Sequence, residues 1–147
     1  MTALCIALAV LAGILLPLQA GVNAALRASL AGPVWATFAN FFVGAMAASA
    51  ALALARQPMP TSERFASTPW WAWTGGLCGA TLVFASLFSV GRLGYAGLAA
   101  CLIAGQLLAS VAFDHYGILG AAARELTAAR AVGIVLLLCG MALVLRG

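Results

Sequence analysis

Residues 1–26, MTALCIALAVLAGILLPLQAGVNAAL, contain no charged side chain. A helix needs about 20 mostly apolar residues to cross the hydrocarbon core of a bilayer, so this run is long enough to span one. Uncharged runs of the same kind cover residues 28–55, 65–91, 93–113 and 131–145. The last run rises only about 22 Å as a helix, but residues 127–129 extend it if Arg130 and Arg146 reach toward the headgroups. Because no basic stretch precedes the first apolar run, we expect the first helix to be retained and not removed as a signal peptide.

The composition of the whole chain agrees with a membrane location. Hydrophobic residues make up 65% of the chain and charged residues 7%, whereas a soluble domain carries about 25% charged residues. Residues 132–145, VGIVLLLCGMALVL, are apolar all round, while barrel strands alternate polar and apolar positions. The sequence therefore predicts an all-α integral membrane protein with a single transmembrane domain over residues 1–147. Its predicted helices cover about residues 3–27, 33–55, 70–90, 95–113 and 127–145.

Catalysis, metal binding and nucleic-acid binding have no support in the residue pattern. The four cysteines lie in separate runs with no CxxC pair, so no metal site and no cofactor are predicted. Asp114 and His115 are adjacent, but no nucleophilic side chain accompanies them in the sequence pattern. The chain is therefore not predicted to be an enzyme. The seven basic residues are spread along the chain and form no patch for nucleic acid.

The arginines indicate how the chain is oriented in the membrane. Five spans place the termini on opposite sides, so the arginines divide into two sets. The side of the N-terminus holds Arg56, Arg64, Arg124 and Arg130, and the other side holds Arg27, Arg92 and Arg146. Orientation follows the excess of Arg and Lys in short loops, and here the excess is almost nil. Two interpretations stay open: insertion both ways with antiparallel pairs of copies, or one orientation set by the four-arginine side.

Polar residues interrupt the first run at Leu15 to Arg27, LLPLQAGVNAALR. Gln19, Asn23 and Arg27 are four residues apart, so they share one helix face, which we call the polar stripe. Pro17 cannot donate its backbone hydrogen bond, which predicts a bend just below the stripe.

Two further amides lie at mid-span, Asn40 in the second predicted helix and Gln106 in the fourth. Buried polar groups in membranes face protein or a wet cavity. Two interpretations stay open: the amides of Gln19, Asn23, Asn40 and Gln106 line one solute cavity, or they hydrogen-bond one another and stabilise helix packing by about 1 kcal/mol each.

Aromatic residues and one carboxylate complete the candidate site. Phe38, Phe41 and Phe42 are at i, i+3 and i+4 in the second predicted helix. They either face lipid or give the cavity a surface for a flat, apolar solute. The three carboxylates of the chain all lie at the ends of predicted helices or in loops. Asp114, at the end of the fourth helix, is the one candidate for proton coupling.

Small residues at four-residue spacing, such as Gly75 with Gly79, let membrane helices approach closely. In a chain with 16 glycines, such pairs predict tight packing first and a dimer face second. Five helices enclose too little space for a path of their own, so we expect a partner chain.

Several segments resemble one known family. GILLPLQAGVNAALR, PVWATFANFFVGA and LIAGQLLASVAFDHYGILG resemble the YdcZ-like branch of the drug/metabolite transporter superfamily, bacterial inner-membrane proteins of about five helices. The resemblance covers nearly the whole chain. It implies an exporter related to the small multidrug resistance proteins and to EamA-like carriers, which look like two inverted five-helix halves in one chain. The small multidrug resistance proteins use a glutamate in their first helix, where this chain has Gln19 and Asn23. Their exchange of protons for cations is therefore not expected of this chain.

By this resemblance the chain is half of an inverted-repeat transporter fold, a multi-pass protein in contact with the lipid of a bacterial inner membrane. The predicted function is export of a small organic metabolite or drug-like solute by alternating access, as a homodimer, antiparallel or not, or beside a similar chain. Substrate binding is assigned to Gln19, Asn23, Asn40, Gln106, Phe38 and Phe41, bending to Pro17 and coupling to Asp114. The alternative is a membrane scaffold or regulatory subunit that transports nothing.

Overall fold

Helices make up nearly all of the computed structural model, which describes residues 2–118 and 123–147. In chain order the elements are α1 Thr2–Ser29, α2 Pro33–Leu54, α3 Ser62–Ser67, a 3-10 helix at Trp70–Thr74, α4 Gly75–Tyr116 and α5 Ala128–Arg146. The described residues contain no strand. The prediction of an all-α protein is therefore confirmed.

α4 is too long for a single crossing of a bilayer. Its 42 residues would rise about 63 Å as an uninterrupted helix, roughly twice the thickness of the hydrocarbon core. Gly94 interrupts the helix with φ 66° and ψ 175°, a backbone conformation that is open almost only to glycine. The two halves, residues 75–93 and 95–116, rise roughly 28 and 33 Å, so each is long enough to cross once.

The turn from α1 to α2 is short and closed by the backbone. The N–H of Gly32 donates to the carbonyl oxygen of Arg27 at 3.2 Å. Ala31 has φ 56°, the left-handed conformation that commonly follows a helix end. Pro33 then begins α2, where a proline sacrifices no helical hydrogen bond. The end of α1 therefore lies beside the start of α2.

Most large apolar side chains are exposed along the helices. Val34 and Leu136 are each 67% exposed, and their neighbours on the same helices are also apolar. Among the described residues the buried apolar side chains are few, namely Ala36, Val83, Leu87, Leu98 and Ala104. Surfaces this apolar are stable in contact with lipid and unstable in water. The prediction of a membrane protein is confirmed, since α1, α2, α4 with its preceding 3-10 helix, and α5 are long and apolar enough to span.

The chain groups into two compact units. The first unit comprises Met1–Pro17 and Ser89–Gly147, and the second unit comprises Leu18–Phe88. The second unit therefore contains the end of α1, all of α2 and most of the first half of α4. The first unit contains the start of α1, the second half of α4 and α5.

Each unit has its own packing contacts. In the second unit, Leu26 of α1 packs against a buried core of Ala36, Val83 and Leu87. In the first unit, a Cβ atom on Gly97 would lie 3.3 Å from Cδ2 of Leu145. The absence of a side chain at Gly97 therefore lets α5 approach the second half of α4 closely.

Candidate functional site

The polar stripe lies entirely in the second unit, on the final turns of α1. Residues four apart in an α-helix differ by about 40° around its axis, so Gln19, Asn23 and Arg27 share a face. The surroundings of the three differ: Gln19 is exposed, Asn23 is buried and Arg27 is half-buried. The stripe therefore combines three distinct environments within about 12 Å of helix.

Gln19 reaches across to Asn40 on α2. Its Nε2 lies 3.5 Å from Oδ1 of Asn40, whereas most N–H to oxygen bonds measure about 2.9–3.0 Å. A contact this long does little to hold the two helices together. Either amide can therefore exchange it for a shorter bond with a bound molecule.

Asn23, one turn further along α1, is buried with an unpaired oxygen. The residue is 3% exposed, and its Oδ1 has no hydrogen-bond partner among the described residues. An unpaired buried polar atom costs about 1–3 kcal/mol, and the hydrocarbon core supplies no water to relieve it. Asn23 is also the one buried polar residue in the described chain. It is therefore the side chain with the strongest need for a donor from outside the helices.

Arg27 attaches the end of α1 to α4. Its Nη1 donates to the carbonyl oxygen of Leu87, and its guanidinium carbon lies 5.3 Å from the centre of the Phe88 ring. Phe88 packs in turn against Phe84, with ring centres 5.0 Å apart. A guanidinium carries five N–H donors, so one carbonyl bond leaves this cation able to bind a further acceptor.

Phe38 lies on a different side of α2 from Asn40. It lines an open groove of about 410 Å³ with Val34, Thr37, Ala80, Thr81 and Phe84. The hydroxyls of Thr37 and Thr81 donate to carbonyl oxygens of their own helices, so they leave the groove apolar. At 100° per residue, Phe38 is about 160° around the helix from Asn40. The structure therefore does not bring Phe38 and the amides into one pocket.

Phe41 packs between α2 and α4. It is 37% exposed, and its Cζ would lie 3.2 Å from a Cβ atom on Gly79. Phe38 stacks on Phe42, with ring centres 6.1 Å apart. Both predicted aromatic site residues thus have packing contacts, Phe38 within α2 and Phe41 with α4.

Asp114 and Gln106 belong to the first unit. Oδ2 of Asp114 lies 3.3 Å from Nη2 of Arg130, and the two side chains are 35% and 36% exposed. The N–H of Arg124 donates to the backbone carbonyl oxygen of Asp114 at 2.8 Å. Gln106 is exposed on the second half of α4. Asp114 is therefore a paired carboxylate that remains accessible from outside the helices.

Pro17 lies inside α1, which continues across it from Thr2 to Ser29. A proline nitrogen has no hydrogen to donate, so the carbonyl oxygen of Gly13 loses its helical partner. Pro17 is also the residue at which α1 passes from the first unit to the second. The missing hydrogen bond makes this point of α1 the easiest to bend.

No metal centre is formed by the candidate residues. Within residues 2–118 and 123–147, no three side chains of His, Cys, Asp or Glu are grouped closely enough to hold a metal ion. The cysteines of α1, α4 and α5 are all free thiols. The polar candidate residues are the amides of Gln19, Asn23 and Asn40 with the cation of Arg27 in the second unit, and Gln106 and Asp114 in the first unit.

Sequence reasoning missed the partners of the charged residues. Leu87 follows Arg27 by 60 positions and binds it through a backbone oxygen, which no side-chain pattern reveals. The ion pair of Asp114 with Arg130 is weakly indicated by the sequence, because a negative charge ends one predicted helix and a positive charge begins the next.

A family model described as "Putative inner membrane exporter, YdcZ" matches residues 4–143. The match covers nearly the whole chain, including the polar stripe and Asn40. No curated protein and no solved structure matches the chain.

Proposed function

Because the chain belongs to the YdcZ family of inner-membrane exporters, we propose that it exports a small organic metabolite or drug-like solute by alternating access. The protein is a multi-pass protein of the inner membrane, and its family implies a transporter and not an enzyme. Binding of the solute is assigned to the polar stripe and Asn40, since their amides are polar groups within an otherwise apolar set of helices.

The unpaired oxygen of Asn23 is the observation that carries this proposal. In a protein that only holds helices together, a buried acceptor without a donor is a persistent loss of about 1–3 kcal/mol. In a carrier, a solute or water that enters during the cycle supplies the donor. Gln19 lies one turn from Asn23 on the same face of α1, and its long contact with Asn40 leaves both of those amides available to a solute.

A partner chain completes the proposed path. Five helices enclose little space, so the carrier works as a homodimer or beside a similar chain, with the solute cavity at the interface. The nearly equal division of arginines, four against three, supports an antiparallel arrangement of two copies. The apolar groove beside Phe38 would face the partner chain.

Other residues have proposed roles in the transport cycle. Pro17 lets α1 bend, because its helix lacks one hydrogen bond there. Asp114 couples transport to protons by exchanging Arg130 for a proton, and its partial exposure allows this exchange.

A membrane scaffold is the second candidate, and the contacts of Arg27 favour it. The bond to Leu87 and the stacking over Phe88 fasten α1 to α4. In that case the contact between Gln19 and Asn40 would simply add to helix packing.

Replacement of Gln19 and Asn40 by leucine separates the two candidates. A thermal-shift screen of the purified protein against metabolites and lipophilic drugs first identifies a stabilising solute, because a ligand of the folded state raises its melting point. Flux of that solute is then measured in proteoliposomes. We expect each single variant to lose about fivefold or more of the flux, as one hydrogen bond is worth about 1 kcal/mol.

Gln57→Leu is the matched control, since Gln57 lies outside the helices in the segment after α2. This variant should transport at the rate of the unaltered protein. A doubly substituted Gln19→Leu, Asn40→Leu protein that folds and transports normally would remove the amides from the mechanism.

A further inference from the structure

The long helices of the second unit carry very little charge. Within residues 18–54 and 75–88, the sole charged side chain is Arg27. A single half-buried cation at the end of α1 gives this end of the polar stripe a positive potential. A cationic solute would be repelled there, and an anionic solute would be attracted.

Arg27 has the chemistry to bind a carboxylate. A guanidinium binds carboxylates through two parallel hydrogen bonds. Its bond to the Leu87 carbonyl oxygen occupies one of five donors. The ring of Phe88, 5.3 Å away, adds an apolar surface beside the cation. Arg27 can therefore keep its contacts with α4 and still accept an anion.

Asn23 needs a different group from the same solute. Its Oδ1 is an acceptor without a donor, and an ionised carboxylate cannot supply one. The Cβ atoms of Asn23 and Arg27 are about 5–6 Å apart, as for any pair four residues apart on a helix. A small molecule that satisfies both side chains therefore carries an O–H or N–H group at a similar distance from its carboxylate.

We infer that the solute is an organic carboxylate with a separate O–H or N–H donor, bound with its carboxylate on Arg27 and its donor on Asn23. This inference rests on the proposed transport function and names the class of its substrate. Arg27 is half-buried and Asn23 is 3% exposed, so the cation is the more accessible of the two groups.

Three aromatic probes of similar size test the inference on the full chain purified in detergent. They are 4-hydroxyphenylacetate, with a carboxylate and a donor, phenylacetate, with the carboxylate alone, and tyramine, with the donor and a cation. Thermal shifts measured over a range of concentrations give the dissociation constants. We expect phenylacetate to bind about tenfold more weakly than 4-hydroxyphenylacetate. Tyramine should give no shift.

Two substitutions assign each preference to one side chain. Asn23→Leu should abolish the difference between 4-hydroxyphenylacetate and phenylacetate while both still bind. Arg27→Gln should abolish the preference for carboxylates over tyramine. Arg27→Lys keeps the charge and should retain carboxylate binding at reduced affinity, because an ammonium lacks the planar fork. It serves as the second variant if Arg27→Gln does not fold.

The outcomes separate this inference from the proposed function. Tyramine binding as tightly as 4-hydroxyphenylacetate, or stabilisation by phosphatidylglycerol but by no carboxylate, would overturn the inference. If another solute is carried in proteoliposomes while no carboxylate binds, transport stands and the substrate class is wrong. If the carboxylates bind with the expected variant pattern but do not cross the membrane, the site is correct and the transport proposal fails.

Discussion

A Cβ atom on Gly79 would lie 3.2 Å from Cζ of Phe41, so the ring of Phe41 rests against the backbone of α4 without spare room. The same atom on Gly75 or Gly76 would meet nothing within 4 Å. The small residues at the start of α4 therefore form one tight helix contact, at Gly79, and the other glycines there have open space.

This difference predicts opposite effects of two alanine substitutions. Gly79→Ala should lower the free energy of unfolding by about 1 kcal/mol or more, because the added methyl group overpacks the contact with Phe41. Gly76→Ala is the matched control and should raise stability by up to about 1 kcal/mol, because alanine favours a helix over glycine. Unfolding of the purified protein in mixed micelles, followed by circular dichroism, measures both.

A second substitution tests the cause of the loss. Phe41→Leu removes the ring edge, so in combination with Gly79→Ala it should cost less than the sum of the two single changes. Equal effects of Gly79→Ala and Gly76→Ala would mean that Phe41 does not pack on α4 as described.

The interruption of α4 at Gly94 gives the second prediction. A residue with a side chain is strained at φ 66°, by about 1–2 kcal/mol relative to glycine. Gly94→Ala should therefore lower the free energy of unfolding by about this amount, whereas Gly91→Ala, at a helical position with open space, should not. The measurement is the same unfolding titration. A Gly94→Ala protein as stable as Gly91→Ala would indicate that α4 can straighten through this point.

The sequence predicts the all-α class of the fold because a bilayer imposes a strict rule on the backbone. Long uncharged runs must form helices that satisfy their own backbone, and Arg92 with Gly94 interrupts the apolar sequence where α4 is broken. The short helix α3, at Ser62–Ser67, is not predicted by this rule. Its six residues are a mixture of polar and apolar types between two spans, so no long uncharged run marks them.

Less of the candidate site than of the fold can be predicted from the sequence. Spacing alone fixes the polar stripe on one face of α1. The partner of each residue in it depends on how α2 and α4 are rotated about their axes, and that rotation depends on side-chain packing. Asn40 faces Gln19 while Phe38 points about 160° away, although both lie in one apolar segment. Arg27 binds a backbone oxygen, so no residue type at position 87 would reveal the contact.

The ion pair of Asp114 with Arg130 gives the third prediction. Both side chains are about one-third exposed, and such pairs contribute about 0–1 kcal/mol. Asp114→Asn should therefore have little effect on stability, yet abolish the dependence of solute flux on a pH gradient across proteoliposomes, because the carboxamide cannot carry the proton. Arg130→Gln keeps the carboxylate and should keep that dependence. Flux through Asp114→Asn that still follows the pH gradient would exclude Asp114 as the coupling residue.

The balance of arginines gives the last prediction, which concerns orientation. With four arginines on the side of the N-terminus and three on the other, the copies should insert both ways, so fusions at the C-terminus to alkaline phosphatase and to green fluorescent protein should both be active. Arg56→Gln with Arg64→Gln leaves two arginines against three. This variant should move the C-terminus toward the cytoplasm and raise the ratio of fluorescence to phosphatase activity.

Acidic residues have little influence on orientation, so Glu63→Gln with Glu125→Gln is the control and should leave the ratio unchanged. A wild-type signal from one reporter alone would remove the antiparallel homodimer, because a pair of that kind needs both orientations of one chain. A dimer with a similar but oppositely inserted chain would then be the remaining way to build an inverted repeat from five helices. Since that partner would supply a different set of side chains, the two reporter fusions of the unaltered chain also decide whether an antiparallel pair builds the solute site from one sequence or two.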